Sequence, residues 1–131
     1  MPVTTKYVDG GLGYLVVGER FVKGSEVVEI SLQPEEPFRK IKYWLYDFSE
    51  TSEVEASSND MRKIAEQDLI MAKINTKVVG AVVAPHDIVF GFARMWEVFA
   101  TDTGWIKRVF RTRSETEAWI QDELKMVLTF K

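Results

Sequence analysis

Residues 43–60 read YWLYDFSETSEVEASSND, and the rest of the chain falls into order around them. The opening YWLYDF is aromatic and apolar, the composition of a strand that packs on a core. SETSEVEA is acidic and rich in hydroxyls, which marks a loop. Ser57, Ser58, Asn59 and Asp60 then supply the residue types that cap a helix N-terminus. A strand end feeding a helix start is where open α/β sheets place their binding groups.

Downstream, strand and helix alternate. Residues 41–48 form the first strand of this series, and residues 58–74 a helix whose Met61, Ile64, Ala65, Leu69 and Ala72 make one apolar face. Residues 78–84 are continuously apolar, as in a strand covered on both sides, and Pro85 ends them. Residues 87–100 predict an amphipathic helix with Ile88, Phe92, Met95 and Phe99 inward. Residues 105–110 make another strand. Ser114 with Glu117 predicts a capping box opening a last helix, and the tail MVLTFK either extends that helix or packs as an irregular cover. Such alternation implies a mainly parallel sheet with helices on its faces.

Upstream, Gly10, Gly11 and Gly13 punctuate a β-hairpin made by residues 6–9 and 14–19. The segment GGLG lacks the lysine and the strand–glycine–helix setting of a phosphate loop, so it reads as the hairpin turn. Ser25 then caps EVVEISLQ, whose β-branched residues favour strand but whose cap and Glu26 favour a short helix. The cap and Glu26 predict a short helix, ended by Pro34 and Pro37.

Composition narrows the function. A chain of 131 residues with 46% hydrophobic and 28% charged residues suits one domain spanning 1–131. A net charge of −3, with Lys107, Arg108, Arg111 and Arg113 the only dense basic group, argues against nucleic acid as a partner. Zero cysteines and one histidine remove thiolate chemistry and Cys- or His-pair metal sites, so no metal or cofactor is expected. No apolar run reaches membrane-span length and the N-terminus lacks an apolar signal segment, so the expected location is the cytoplasm.

Individual residues carry the remaining chemistry. Ser57 and Ser58 are helix caps or, at a helix end rich in free N–H donors, phosphoacceptors; the neighbouring Glu50, Glu53, Glu55 and Asp60 oppose an added phosphate. Asp68 falls within the apolar stripe of its helix, so it either reaches water or a lysine at the core edge or marks a polar site. His86, between Pro85 and Asp87, has no second catalytic group and reads as a capping or surface residue. Gly91 interrupts a helix. With Phe90, Trp96 and Val98 it makes an apolar strip that serves as a homodimer contact or ligand mouth, or is covered by the tail or hairpin.

The passage YDFSETSEVEASSNDMRKIA resembles the Asp-Phe-Ser…Ser-Ser segment of STAS domains, the fold of anti-sigma factor antagonists. VVAPHDIVFGFARMWEVF and VFRTRSETEAWI resemble the SpoIIAA-like, or STAS/SEC14, group of small bacterial proteins. The resemblance spans about residues 14–125 and implies a STAS-like α/β fold: a mixed sheet with a mainly parallel core, an N-terminal hairpin and about four helices. It implies a phosphoacceptor at Ser57, although Ala56 and Asn59 stand where the family motif has aspartate and glycine.

From this follows an expected non-enzymatic regulatory module that docks a protein partner, such as a regulator or kinase, around Ser57, Ser58, Asn59 and the helix at residues 87–100. The second expectation is a SEC14-like pocket for a small apolar or anionic ligand near the strand ends, around Phe48, Ser49, Pro85, His86 and Asp87.

Overall fold

The computed structural model describes residues 3–131 as an α/β protein with a five-stranded mixed sheet. The elements are β1 (Val3–Val8), β2 (Gly13–Gly18), β3 (Phe21–Lys23), α1 (Gly24–Ser31), α2 (Glu35–Lys40), β4 (Tyr43–Asp47) and β5 (Glu53–Glu55). They continue with α3 (Ser58–Ile74), β6 (Val79–Val83), α4 (Asp87–Phe99), β7 (Ile106–Phe110) and α5 (Arg113–Leu124). The main sheet has the order β1-β2-β4-β6-β7, antiparallel only at the β1–β2 hairpin. A short parallel pair, β3 with β5, stands beside it.

Two apolar layers enclose the sheet. On one face α1, α2, α3 and α4 pack over Tyr14, Val16, Trp44 and Val82. On the other, Ile120 of α5 and the tail residues Leu128 and Phe130 cover Leu45, Ala81 and Val83. All five residues of β6 are buried, which explains its unbroken apolar run.

Several boundaries and faces differ from the periodicity reading. Among the described residues five α-helices stand where about four were expected, because Pro34 and Pro37 begin a helix instead of ending one. Pro34 is the N-cap of α2 and Pro37 lies in its first turn, where a missing N–H costs nothing. In α1 the N-cap is Lys23 rather than Ser25, with its N–H donated to Glu26. In α5 the cap is Thr112, not Ser114; its hydroxyl accepts from the Glu115 N–H at 3.3 Å, while Glu117 pairs with Arg113. The acidic stretch after β4 contains β5, whose Glu53-Val54-Glu55 has the period-two alternation of a strand. Leu69 points outward, and Asp68 and Met71 take the inward positions of α3. In α4 the buried residues are Val89, Ala93 and Trp96, whereas Ile88 and Met95 are exposed and Phe92 and Phe99 half-buried.

The tail is an irregular cover. Lys125 adopts a left-handed conformation that ends α5, and the chain then returns to Asp9 beside the hairpin turn. The Asp9 carboxylate accepts from the Thr129 N–H at 2.8 Å, the Phe130 N–H at 2.9 Å and the Tyr43 hydroxyl at 2.5 Å. Its slight burial raises the pKa, but these donors outweigh that and hold it below the ordinary carboxylate value. Asp9→Ala is expected to detach the tail and to speed amide exchange at Thr129 and Phe130 by about tenfold or more, as measured by NMR. Unchanged protection would mean that Leu128 and Phe130 hold the tail by packing alone.

Candidate functional site

A half-enclosed cavity of about 60 Å³ lies at the carboxyl ends of β4 and β6, under α3 and α4. Its floor is Tyr46, Phe48 and Val82, and its walls are Met61 and Ile64 of α3 with Val89, Phe92, Ala93 and Trp96 of α4. Val22 of β3, Val54 of β5, the adjoining Ala56 and Val27 of α1 close the remaining side. The small β3–β5 pair therefore acts as a rim to the cavity. Among the described residues, none that lines the cavity carries a charged side chain, and Tyr46 and Trp96 bring the only polar N–H or O–H side-chain groups. Burial, followed by the negative charge of Asp68, pushes the Tyr46 hydroxyl well above its ordinary pKa, so it is a neutral phenol.

Trp96 is fixed from behind. Its indole N–H donates to the Asp68 carboxylate at 2.7 Å, tying α4 to α3 inside the core. Asp68 is buried, so the expected placement at the core edge does not hold. Burial raises its pKa to about 7, against the opposing effects of the Trp96 hydrogen bond and the Lys107 charge. Lys107 itself donates to the Thr103 hydroxyl and the Trp105 carbonyl, both at 3.2 Å. Edge contacts connect Trp44 to Trp96 and to Trp105, with ring centroids 5.3 and 6.3 Å apart. The buried Trp44 indole nitrogen has no hydrogen-bond partner among the described residues.

The sequence-derived candidates fall in three places. Phe48 lines the cavity. Ser49 donates through its N–H and hydroxyl to Asp47, which also accepts from Arg113 at 2.7 Å. Pro85, His86 and Asp87 are exposed at the start of α4 and do not line the cavity. His86 occupies the N-cap position without a side-chain cap bond, and Asp87 pairs with Arg111 at 2.7 Å. Ser57, Ser58 and Asn59 form an exposed corner. There the Ser57 hydroxyl accepts from the Asp60 N–H at 3.1 Å, and Asp60 accepts from the Ser57 N–H at 3.0 Å. Within the proposed strip Trp96 is buried and Phe90 lies half-buried beneath Arg111, 3.9 Å from the ring centroid, leaving Gly91 and Val98 exposed.

Periodicity did not single out Val22, Val54, Val89 or Ala93 for the site. The alternation around Val54 and the Val89-Ala93-Trp96-Ala100 spacing carried that signal. A second, more open groove of about 330 Å³ lies between α3 and the end of α4. Arg62, Glu66 and Asp102 line it, so it mixes charges of both signs and lacks the apolar enclosure of the first.

Among the described residues, no group of three His, Cys, Asp or Glu stands close enough to hold a metal ion. No described helix is long and apolar enough to cross a membrane. No family model, curated protein or solved structure matches the chain. The chain is thus an α/β protein with a mainly parallel mixed sheet and an apolar cavity at the carboxyl end of its central strands.

Proposed function

We propose that this chain is a STAS-like, non-catalytic binding protein that holds a small uncharged apolar molecule between its sheet and α3–α4. The observation supporting this reading is a charge-free cavity at the strand ends, closed by an added two-stranded rim. An anionic ligand is disfavoured there, since no lining cation would offset its desolvation. The volume of about 60 Å³ is well below the roughly 300–1,000 Å³ of pockets that swallow a whole drug-sized ligand. A cavity that encloses benzene measures about 150 Å³, so an occupant here seats only part of a ring or the tip of a short branched chain, with the remainder in the opening.

A panel of benzene, indole and short branched alcohols, followed by thermal unfolding, tests the reading. A fitting ligand at about 100 times its Kd stabilises by roughly 2.7 kcal/mol, raising Tm by several degrees. Ala93→Leu is expected to fill the cavity and abolish the rise. The same rise in the variant would place binding elsewhere.

The exposed Ser57-Ser58-Asn59 corner favours a second reading, a docking surface for a protein partner. A phosphate on the Ser57 hydroxyl, which accepts from the Asp60 N–H, would meet repulsion from the Asp60 carboxylate that accepts from the Ser57 N–H. Intact mass after kinase treatment distinguishes a modified Ser57 or Ser58 from plain caps.

A further inference from the structure

Helix α4 has two apolar faces. Inward, Val89, Ala93 and Trp96 serve the core and cavity. Outward, Ile88, Met95 and Val98 are 52%, 36% and 66% exposed. They surround Gly91, where an added Cβ would meet nothing within 4 Å. Glycine is a poor residue for a helix interior, and nothing within the described chain packs into this notch.

In a two-fold contact between identical helices running antiparallel, positions equidistant from the axis meet. With the axis at Gly91, Ile88 falls opposite Met95 of the second copy, to within one residue. On the neighbouring flank Asp87 falls opposite Arg94, again to within one residue and with the offset in the other sense. The face is thus complementary to itself in shape and charge, each pair occurring twice around a backbone crossing that glycine permits. Within one copy Asp87 pairs with Arg111 and Arg94 with Glu97; with Asp87 and Arg94 largely exposed, these bonds can exchange at little cost.

We propose that α4 is a homodimer interface, pairing with α4 of a second copy across Gly91 and extending the site's outer wall into a contact surface. One helix crossing buries less than the roughly 1,600 Å² of a standard interface, so association is weak and concentration-dependent.

The chain has no cysteine, so a single introduced thiol reports the contact. At the axis, Gly91→Cys brings two Cα atoms within the reach of about 7 Å that a disulfide requires. Under mild oxidation the full chain carrying G91C is expected to form a covalent dimer. Val127→Cys, at a tail position 95% exposed, is expected to remain largely monomeric under the same conditions. Cross-linking of both at equal rates would overturn the proposal. In sedimentation equilibrium, with circular dichroism verifying the fold, Arg94→Asp should weaken association about tenfold and Asp87→Arg added to it should restore it. A wild-type chain that stays monomeric to about 1 mM, or an R94D variant that associates as before, would overturn it as well.

Discussion

Gly80→Ala is expected to cost about 3 kcal/mol or more in urea unfolding, whereas Gly91→Ala is expected to stabilise the monomer by up to about 1 kcal/mol. Gly80 sits opposite Trp44 in the parallel β4–β6 register, and a Cβ there would lie 2.1 Å from the indole ring. Trp44 is held by Trp96, Trp105 and Tyr46, so the ring has no empty space to enter. The backbone of a fully buried central strand must move instead. Gly13 has the same relation to Tyr43 on the opposite face, again 2.1 Å from the ring. Each glycine is thus the recess that lets a large ring lie across the neighbouring strand. Gly91 faces open space, so alanine there brings only its better helix propensity. Equal effects at the two sites would contradict this packing.

Asp68→Asn is expected to remove most of the decline in stability between pH 4 and pH 8. The buried carboxyl has a folded pKa of about 7 against an ordinary value of 3.8, so the folded state holds its proton more tightly than the unfolded chain does. Its contribution is therefore fully present below pH 4 and is lost as pH rises through about 7. The ceiling on that loss is about 4 kcal/mol, three units at roughly 1.4 kcal/mol each. Asparagine cannot ionise, yet its carbonyl can still accept from the Trp96 indole N–H. The variant is expected to match wild type near pH 4 and exceed it by roughly 2–4 kcal/mol near pH 8. Denaturant midpoints across that range measure the difference. Parallel pH profiles for the two proteins would show that Asp68 is ionised in the folded state without penalty.

The order of the main elements was legible because each carries its own period. Strand β4 is aromatic, β6 is apolar throughout, and α3 keeps a regular stripe from Met61 to Ala72. The orientation of α4 was not legible. Ile88-Phe92-Met95-Phe99 and Val89-Ala93-Trp96-Ala100 are both apolar at helical spacing, so amphipathicity alone admits either face. The bond between Trp96 and Asp68, residues on different helices, accompanies the second choice, and only tertiary structure reveals it. Helix α2 was hidden by Pro34 and Pro37, which stop a helix when they follow it and start one when they precede it. The cavity belongs to the same class. It collects side chains from α1, α3, α4, both short strands and two sheet strands, so no local pattern encodes it. Asp68 did stand out, as a charge within an apolar stripe, although its partner is an indole N–H rather than water or lysine.

Methyl-resolved NMR during titration with benzene tests the binding claim most directly. Saturable shifts are expected at Val22, Val27, Val54, Ile64, Val82 and Val89, which surround the cavity. Leu45, Val79 and Ile120, on the opposite face of the sheet, should remain unmoved. Shifts that are absent up to the solubility of benzene, or spread evenly over both faces, would contradict a cavity built to hold an apolar ligand.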